Sequence, residues 1–116
     1  MGKRVSNKHT NDRLQGTLDL IVLKTLASRG VMHGYALTQH IERISESVLR
    51  LQEGSLYPAL HRMTECGWVR SEWGASDKGR RARYYEITAA GRRQLADEEQ
   101  RWAELTGAVG RILRYA

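Results

Sequence analysis

Cysteine and proline each occur once in this chain of 116 residues, as Cys66 and Pro58. A single thiol closes no intramolecular disulfide, and it leaves a structural zinc site to be built almost wholly from histidine. His9, His33, His40 and His61 do not fall at ligand spacings such as H-x₃₋₅-H. No metal and no other cofactor is expected. No apolar run approaches the roughly 20 residues that a membrane-spanning helix needs. Met1 to Thr10 is basic and polar with no apolar segment behind it, unlike a secretory signal. A cytoplasmic protein without a membrane partner is the expectation. Catalytic patterns are also missing. The sequence has no G-x-S-x-G, no H-E-x-x-H, no G-x-x-x-x-G-K-[ST] and no paired acids framed by a pocket signal. Gly54-Ser55 lacks the surrounding elbow pattern, so an enzyme is not expected.

What is present is positive charge. Nineteen Lys and Arg stand against thirteen Asp and Glu, a formal net charge of +6. Such an excess favours polyanionic partners such as nucleic acid, but by itself it discriminates poorly. Its location says more. The length suits one compact domain with a modest core.

Met1 to Asp12 reads as a flexible basic tail carrying Lys3, Arg4 and Lys8. Leu14 to Ala27 reads as a first helix, with Leu18, Ile21, Val22 and Leu26 at helical spacing. Leu14, Leu20 and Leu23 widen that stripe beyond one face, a first hint of a subunit interface. Thr17 or Asp19 would serve its N-terminal turn and Gly30 would close it. A second helix is expected over Gly34–Ser45, with Leu37, Ile41, Ile44 and Val48 on one side, and a turn over Arg50–Gly54. A third helix follows over Ser55–Glu65, begun by Ser55 as N-cap, with Pro58 in its first turn, and ended by Gly67. The period then changes to two. Trp68–Trp73 and Arg83–Ile87 read as strands joined by the Gly74–Arg81 loop, which includes Ser76 and Asp77. Thr88 caps a last helix running to about Arg114. Along it Leu95, Trp102, Leu105, Val109 and Ile112 form a heptad-like seam, with Glu98 as an imperfection. The fold class is therefore mainly α with a small β-hairpin. It is a winged helix-turn-helix over residues 13–88, followed by a long C-terminal dimerisation helix over 89–116.

The third helix has an apolar back of Leu56, Leu60 and Met63. Its front presents Ser55, Pro58, His61, Arg62 and Glu65, with Tyr57 on a flank. Arg62 could donate a bidentate pair to guanine, while Ser55, Tyr57 and His61 could reach a base or a phosphate. Alone, this face reads equally well as the solvated side of an ordinary helix. The hairpin tip tips the balance toward DNA, because Lys78, Arg80, Arg81 and Arg83 fall beside it and guanidinium groups suit phosphate contact. At the start of the second helix, His33 and the Tyr35 hydroxyl are further candidate backbone contacts, although the Tyr35 ring is expected in the core.

Leu14-Gln15-Gly16-Thr17-Leu18-Asp19, Met32-His33-Gly34-Tyr35, Gly54-Ser55-Leu56-Tyr57-Pro58-Ala59-Leu60 and Tyr84-Tyr85-Glu86-Ile87-Thr88-Ala89-Ala90-Gly91 together resemble the PadR family of bacterial transcriptional regulators. The likeness runs from about Leu14 to Leu95. It implies a homodimer bound to palindromic double-stranded DNA, acting as a repressor that a small ligand releases. It also implies a third helix in the major groove, mapped onto Ser55 to Arg62, and a wing along the backbone, mapped onto Lys78 to Arg83. The chain resembles the short subgroup, in which the last helix pairs with its mate and the first assists. Leu18, Val22, Leu95, Trp102, Leu105, Val109 and Ile112 are the expected interface. Trp102 stands where short members carry an aromatic facing a cavity, so a small aromatic effector stacking on it is one reading. A plain interface anchor is the other, and the favoured one.

Two other readings compete. A protein-interaction module on the same fold would make the third-helix face apolar, and here it is polar and basic. A redox sensor would use Cys66, although lone cysteines are more often inert and buried.

Overall fold

A computed structural model describes residues 2–75 and 78–116, with residues 2–15 as backbone only. The elements run α1 (Gly2–Arg29), β1 (Met32–His33), α2 (Gly34–Ile44), α3 (Glu53–Glu65), β2 (Val69–Ala75), β3 (Arg81–Ile87) and α4 (Ala89–Tyr115). Three antiparallel strands form one sheet in the order β1-β3-β2. This is a winged helix-turn-helix with a long C-terminal helix.

Several local signals act as read. Gly30 and Gly67 adopt φ of +87° and +79° where α1 and α3 end, a left-handed geometry that glycine enters without a side-chain clash. The Thr88 hydroxyl accepts from the Gly91 N–H at 3.0 Å, capping α4, and donates to the Gly67 carbonyl at 2.6 Å.

Others need correction. α1 begins at Gly2, not Leu14, so the tail expected over residues 1–12 is helical from Gly2 onward; Met1 lies outside the described residues. No proline or internal glycine interrupts the stretch between Gly2 and Leu14, so the anchored helix propagates outward. Asp19 is consequently mid-helix and serves no N-terminal turn. α3 begins at Glu53, with Gln52 as N-cap and no side-chain capping bond. Pro58 therefore lies in the second turn, and the Gly54 carbonyl loses its i+4 donor. The first strand was missed because two residues carry no periodicity. Ser76 and Asp77, expected in the loop, lie outside the described residues.

The core joins Val22, Leu23 and Leu26 of α1, Leu37 of α2, and Leu56, Leu60 and Met63 of α3, all fully buried, to Val69, Tyr85, Ile87 and Leu95. The chain thus covers the wide apolar stripe of α1 largely by itself. Val22 and Leu95 belong to this core and cannot serve a subunit interface as expected. Ile44 and Val48, placed with Leu37 and Ile41 by spacing, are exposed because α2 stops at Ile44.

Two close approaches lock the layers. A Cβ on Gly91 would meet the Trp68 carbonyl oxygen at 2.1 Å, so α4 lies directly on the chain entering β2. A Cβ on Gly34 would meet the Tyr57 ring and hydroxyl at 2.6–2.8 Å, so α3 and the start of α2 interlock there.

Candidate nucleic-acid interface

Leu56, Ala59, Leu60 and Met63 recur at helical spacing and are buried, which anchors α3 by its back. Its front leaves Ser55, Tyr57, Pro58, His61 and Glu65 exposed. His61 and Glu65 form an exposed i, i+4 pair at 3.6 Å. Tyr57 leans across to Gly34. Burial, aided by Glu53, pushes its phenol above the ordinary range, so at neutral pH it is a hydroxyl donor.

Arg62 does not join that front. Its two Nη groups donate to Asp19 at 2.5 and 3.1 Å, a bidentate bridge from α3 to α1 across 43 residues of sequence. Asp19 is 5% exposed. The hydrogen bond to Asp19 pushes the Arg62 pKa further up against the opposing effect of burial, so the guanidinium stays charged. Arg62 Nε is buried with no partner among the described residues. The expectation that Arg62 reads guanine is therefore overturned, because its fork is occupied inside the protein.

The start of α2 differs from expectation in two ways. His33 is the N-cap: its Nδ1 accepts from the Ala36 N–H at 3.2 Å, and its ring meets Tyr84 edge-on at 5.4 Å. Tyr35, expected in the core, is 57% exposed, with its hydroxyl accepting from Gln39 Nε2 at 3.0 Å. Gln39 is thereby brought to the same surface.

The hairpin supplies the uncommitted charge. Along the β2–β3 face that carries Val69, Tyr85 and Ile87 into the core, the residues beyond the core are Trp73, Arg81 and Arg83. The guanidinium carbons of Arg81 and Arg83 lie 4.8 and 5.3 Å from the Trp73 ring centroid. Lys78 and Arg80 are exposed at the tip. Among the described residues, no ion pair engages Lys78, Arg80, Arg81 or Arg83. Arg70, on the opposite face, is neutralised by Glu86 at 2.8 Å.

Between wing and helices runs an open cleft of about 400 Å³ lined by His33, Tyr35, Tyr57, Trp73, Arg81 and Arg83. Lys78 and Arg80 line an adjoining groove with Tyr35 and Gln39. Sequence reasoning missed Gln39 and Trp73. Trp73 continues the alternation of Val69 and Ser71, so its face was legible, but its cross-strand register with Arg83 was not. No cluster of metal-binding side chains occurs among the described residues. Cys66 is exposed at the C-cap of α3, contrary to a buried thiol.

A helix-turn-helix with a polar front beside a cationic wing defines a DNA-binding class of fold. The chain belongs to the transcriptional regulator PadR-like family, whose model matches residues 22–97. It is 37% identical over 83 residues to a transcriptional regulator of Mycobacterium tuberculosis, covering 72% of this chain and 74% of that one. Among solved structures, a putative transcriptional regulator from Thermoplasma acidophilum is 32% identical with a TM-score of 0.76, covering 90% of this chain and 98% of that chain. A PadR family transcriptional regulator from Eggerthella lenta is 27% identical with a TM-score of 0.75, covering 98% and 96%.

Proposed function

We propose that this transcriptional regulator works as a cytoplasmic homodimeric repressor on a palindromic operator. The observation that carries the reading is the cation set of the wing, Lys78, Arg80, Arg81 and Arg83, which no ion pair engages among the described residues, flanking the exposed polar front of α3. The wing supplies phosphate contacts and affinity, while Ser55, Tyr57, Pro58 and His61 meet base edges. His33 and Tyr35 border the cleft where the backbone would pass.

Pairing of two chains is supported by α4. Trp102, Leu105, Val109 and Ile112 are 43–63% exposed, although they keep a heptad-like spacing. Leu18 is half-buried beside the core. A second copy of α4 would cover this seam and set two recognition helices at the half-sites of a palindrome. Trp102 also walls an apolar cavity of about 500 Å³ between α1, α2 and α4, with Lys24 and Glu99 paired at 3.1 Å beside it. That volume suits a planar aromatic effector, whose binding would release the DNA.

The test is fluorescence anisotropy with a labelled palindromic duplex recovered by in vitro selection from random DNA. Nanomolar affinity with a steep salt dependence is expected. Lys78→Ala with Arg80→Ala should weaken binding and flatten that dependence. Unchanged affinity in this double variant would overturn the wing assignment. Titration with a planar aromatic dye should quench Trp102 and lower operator affinity together.

A further inference from the structure

We propose that Trp73 is a positioning residue of the DNA interface, acting as an aromatic platform that holds Arg81 and Arg83 for phosphate contact without neutralising them. The proposal deepens, and rests on, the reading of the wing as a DNA-facing element.

Side chains along β3 alternate, so Arg81 and Arg83 share the face of Tyr85 and Ile87. Trp73 lies directly opposite Arg83 in register and diagonally from Arg81. Nothing in the core covers the indole, which is 56% exposed. Both guanidiniums instead stack against its ring, at 4.8 and 5.3 Å from the centroid. Arg83 is fixed at a second point, its Nε–H donating to Ser71 Oγ at 3.1 Å. Of the N–H donors, these contacts use one Nε–H. They leave the Nη groups as donors for a phosphate oxygen.

Elsewhere in the chain carboxylates hold arginines, and the contrast explains the choice of partner. Asp19 fixes Arg62, and Glu86 fixes Arg70, but each carboxylate also cancels the charge it orients. An aromatic ring orients the cation through its quadrupole and leaves the net charge in place. A free arginine loses rotamer freedom when it grips a phosphate; one already stacked loses less. Trp73 thus raises affinity through the order it imposes before DNA arrives.

The experiment is a double-mutant cycle on the full chain, using the selected palindromic duplex. Trp73→Leu keeps apolar bulk and removes the π-face; Trp73→Tyr keeps the π-face. Trp73→Leu should bind about ten-fold more weakly and Trp73→Tyr within about two-fold of the parent. In an Arg81→Ala, Arg83→Ala background, Trp73→Leu should change affinity no further. Parent-like binding by Trp73→Leu, or the same loss in the double-alanine background, would overturn the proposal while the DNA-binding reading stands. A parent chain that selects no duplex removes both, and that outcome is visible before any variant is made. Thermal melts of Trp73→Leu should match the parent, as expected for an exposed indole outside the core.

Discussion

Helix α3 and the β2–β3 hairpin face the same cleft, yet their arginines meet opposite fates. On α3, Arg62 is drawn backward onto buried Asp19 and becomes part of the scaffold. On the hairpin, Arg81 and Arg83 rest on an aromatic ring with their charge intact, and Lys78 and Arg80 project beyond them. On the proposed reading, the helix would read bases with short polar and aromatic groups and the wing would grip phosphates with charge. The chemistry of the partner, carboxylate or aromatic ring, and not the identity of the arginine, decides which cation keeps its charge.

The sharpest way to break this comparison is Arg62→Ala. If α3 uses Arg62 as scaffold, the change strands the Asp19 carboxylate. Unfolding stability should then fall by about 3 kcal/mol, the lower part of the range for breaking a buried pair, since Arg62 is partly solvated. Chemical denaturation measures this directly. A variant of parental stability that loses only operator affinity would place Arg62 back on the reading face.

Lys78→Ala with Arg80→Ala should do the reverse. Stability should stay within about 0.5 kcal/mol. Operator affinity should drop by about ten-fold or more, and the slope of log K against log[salt] should shrink by about 2, near 0.9 per phosphate contact. His61→Ala should cost about 1 kcal/mol of operator binding and narrow the gap between operator and random duplex, with the salt slope unchanged. Competition binding against random DNA separates it from the wing variants.

The smallest effect belongs to neither region. Burial, then Arg29 and Arg43, lowers the His40 pKa below its ordinary 6.5, and Arg43 Nη2 donates to its Nδ1 at 3.1 Å. The unfolded chain therefore takes up this proton before the folded one does. Stability should be full above the unfolded pKa and decline as pH falls through it toward the folded value. Melts from about pH 7 to about pH 5 should show a slight loss that His40→Asn flattens. Operator affinity of that variant at neutral pH should match the parent.

Much of the fold was written in local chemistry. Gly30, Gly67 and Thr88 marked element ends at their own positions, and the change of period at Trp68 announced the hairpin. What stayed hidden depends on partners distant in sequence. Asp19 between Leu18 and Leu20 was the clue to a buried carboxylate in need of a cation. Its partner, 43 residues away, could not be chosen without the packing of α3 on α1. Val22 and Leu95 matched the interface seams in spacing, and only the folded chain reveals that their own core consumes them. At the candidate DNA surface, residue types were legible at Ser55, Tyr57, His61 and the wing cations. The stacking of Trp73 required strand register, which spacing does not supply.

The Asp19–Arg62 bridge has a consequence for how this regulator can diversify. Neither member can be exchanged alone without leaving a charge unpaired inside the molecule, so drift at these two positions must be simultaneous or absent. A duplicated copy adopting a new operator has freer paths through Ser55, Tyr57, Pro58 and His61, whose side chains take no part in that bridge. On the proposed reading, binding preferences can wander along the α3 front while Arg62, turned away from it, is held still by Asp19 in α1.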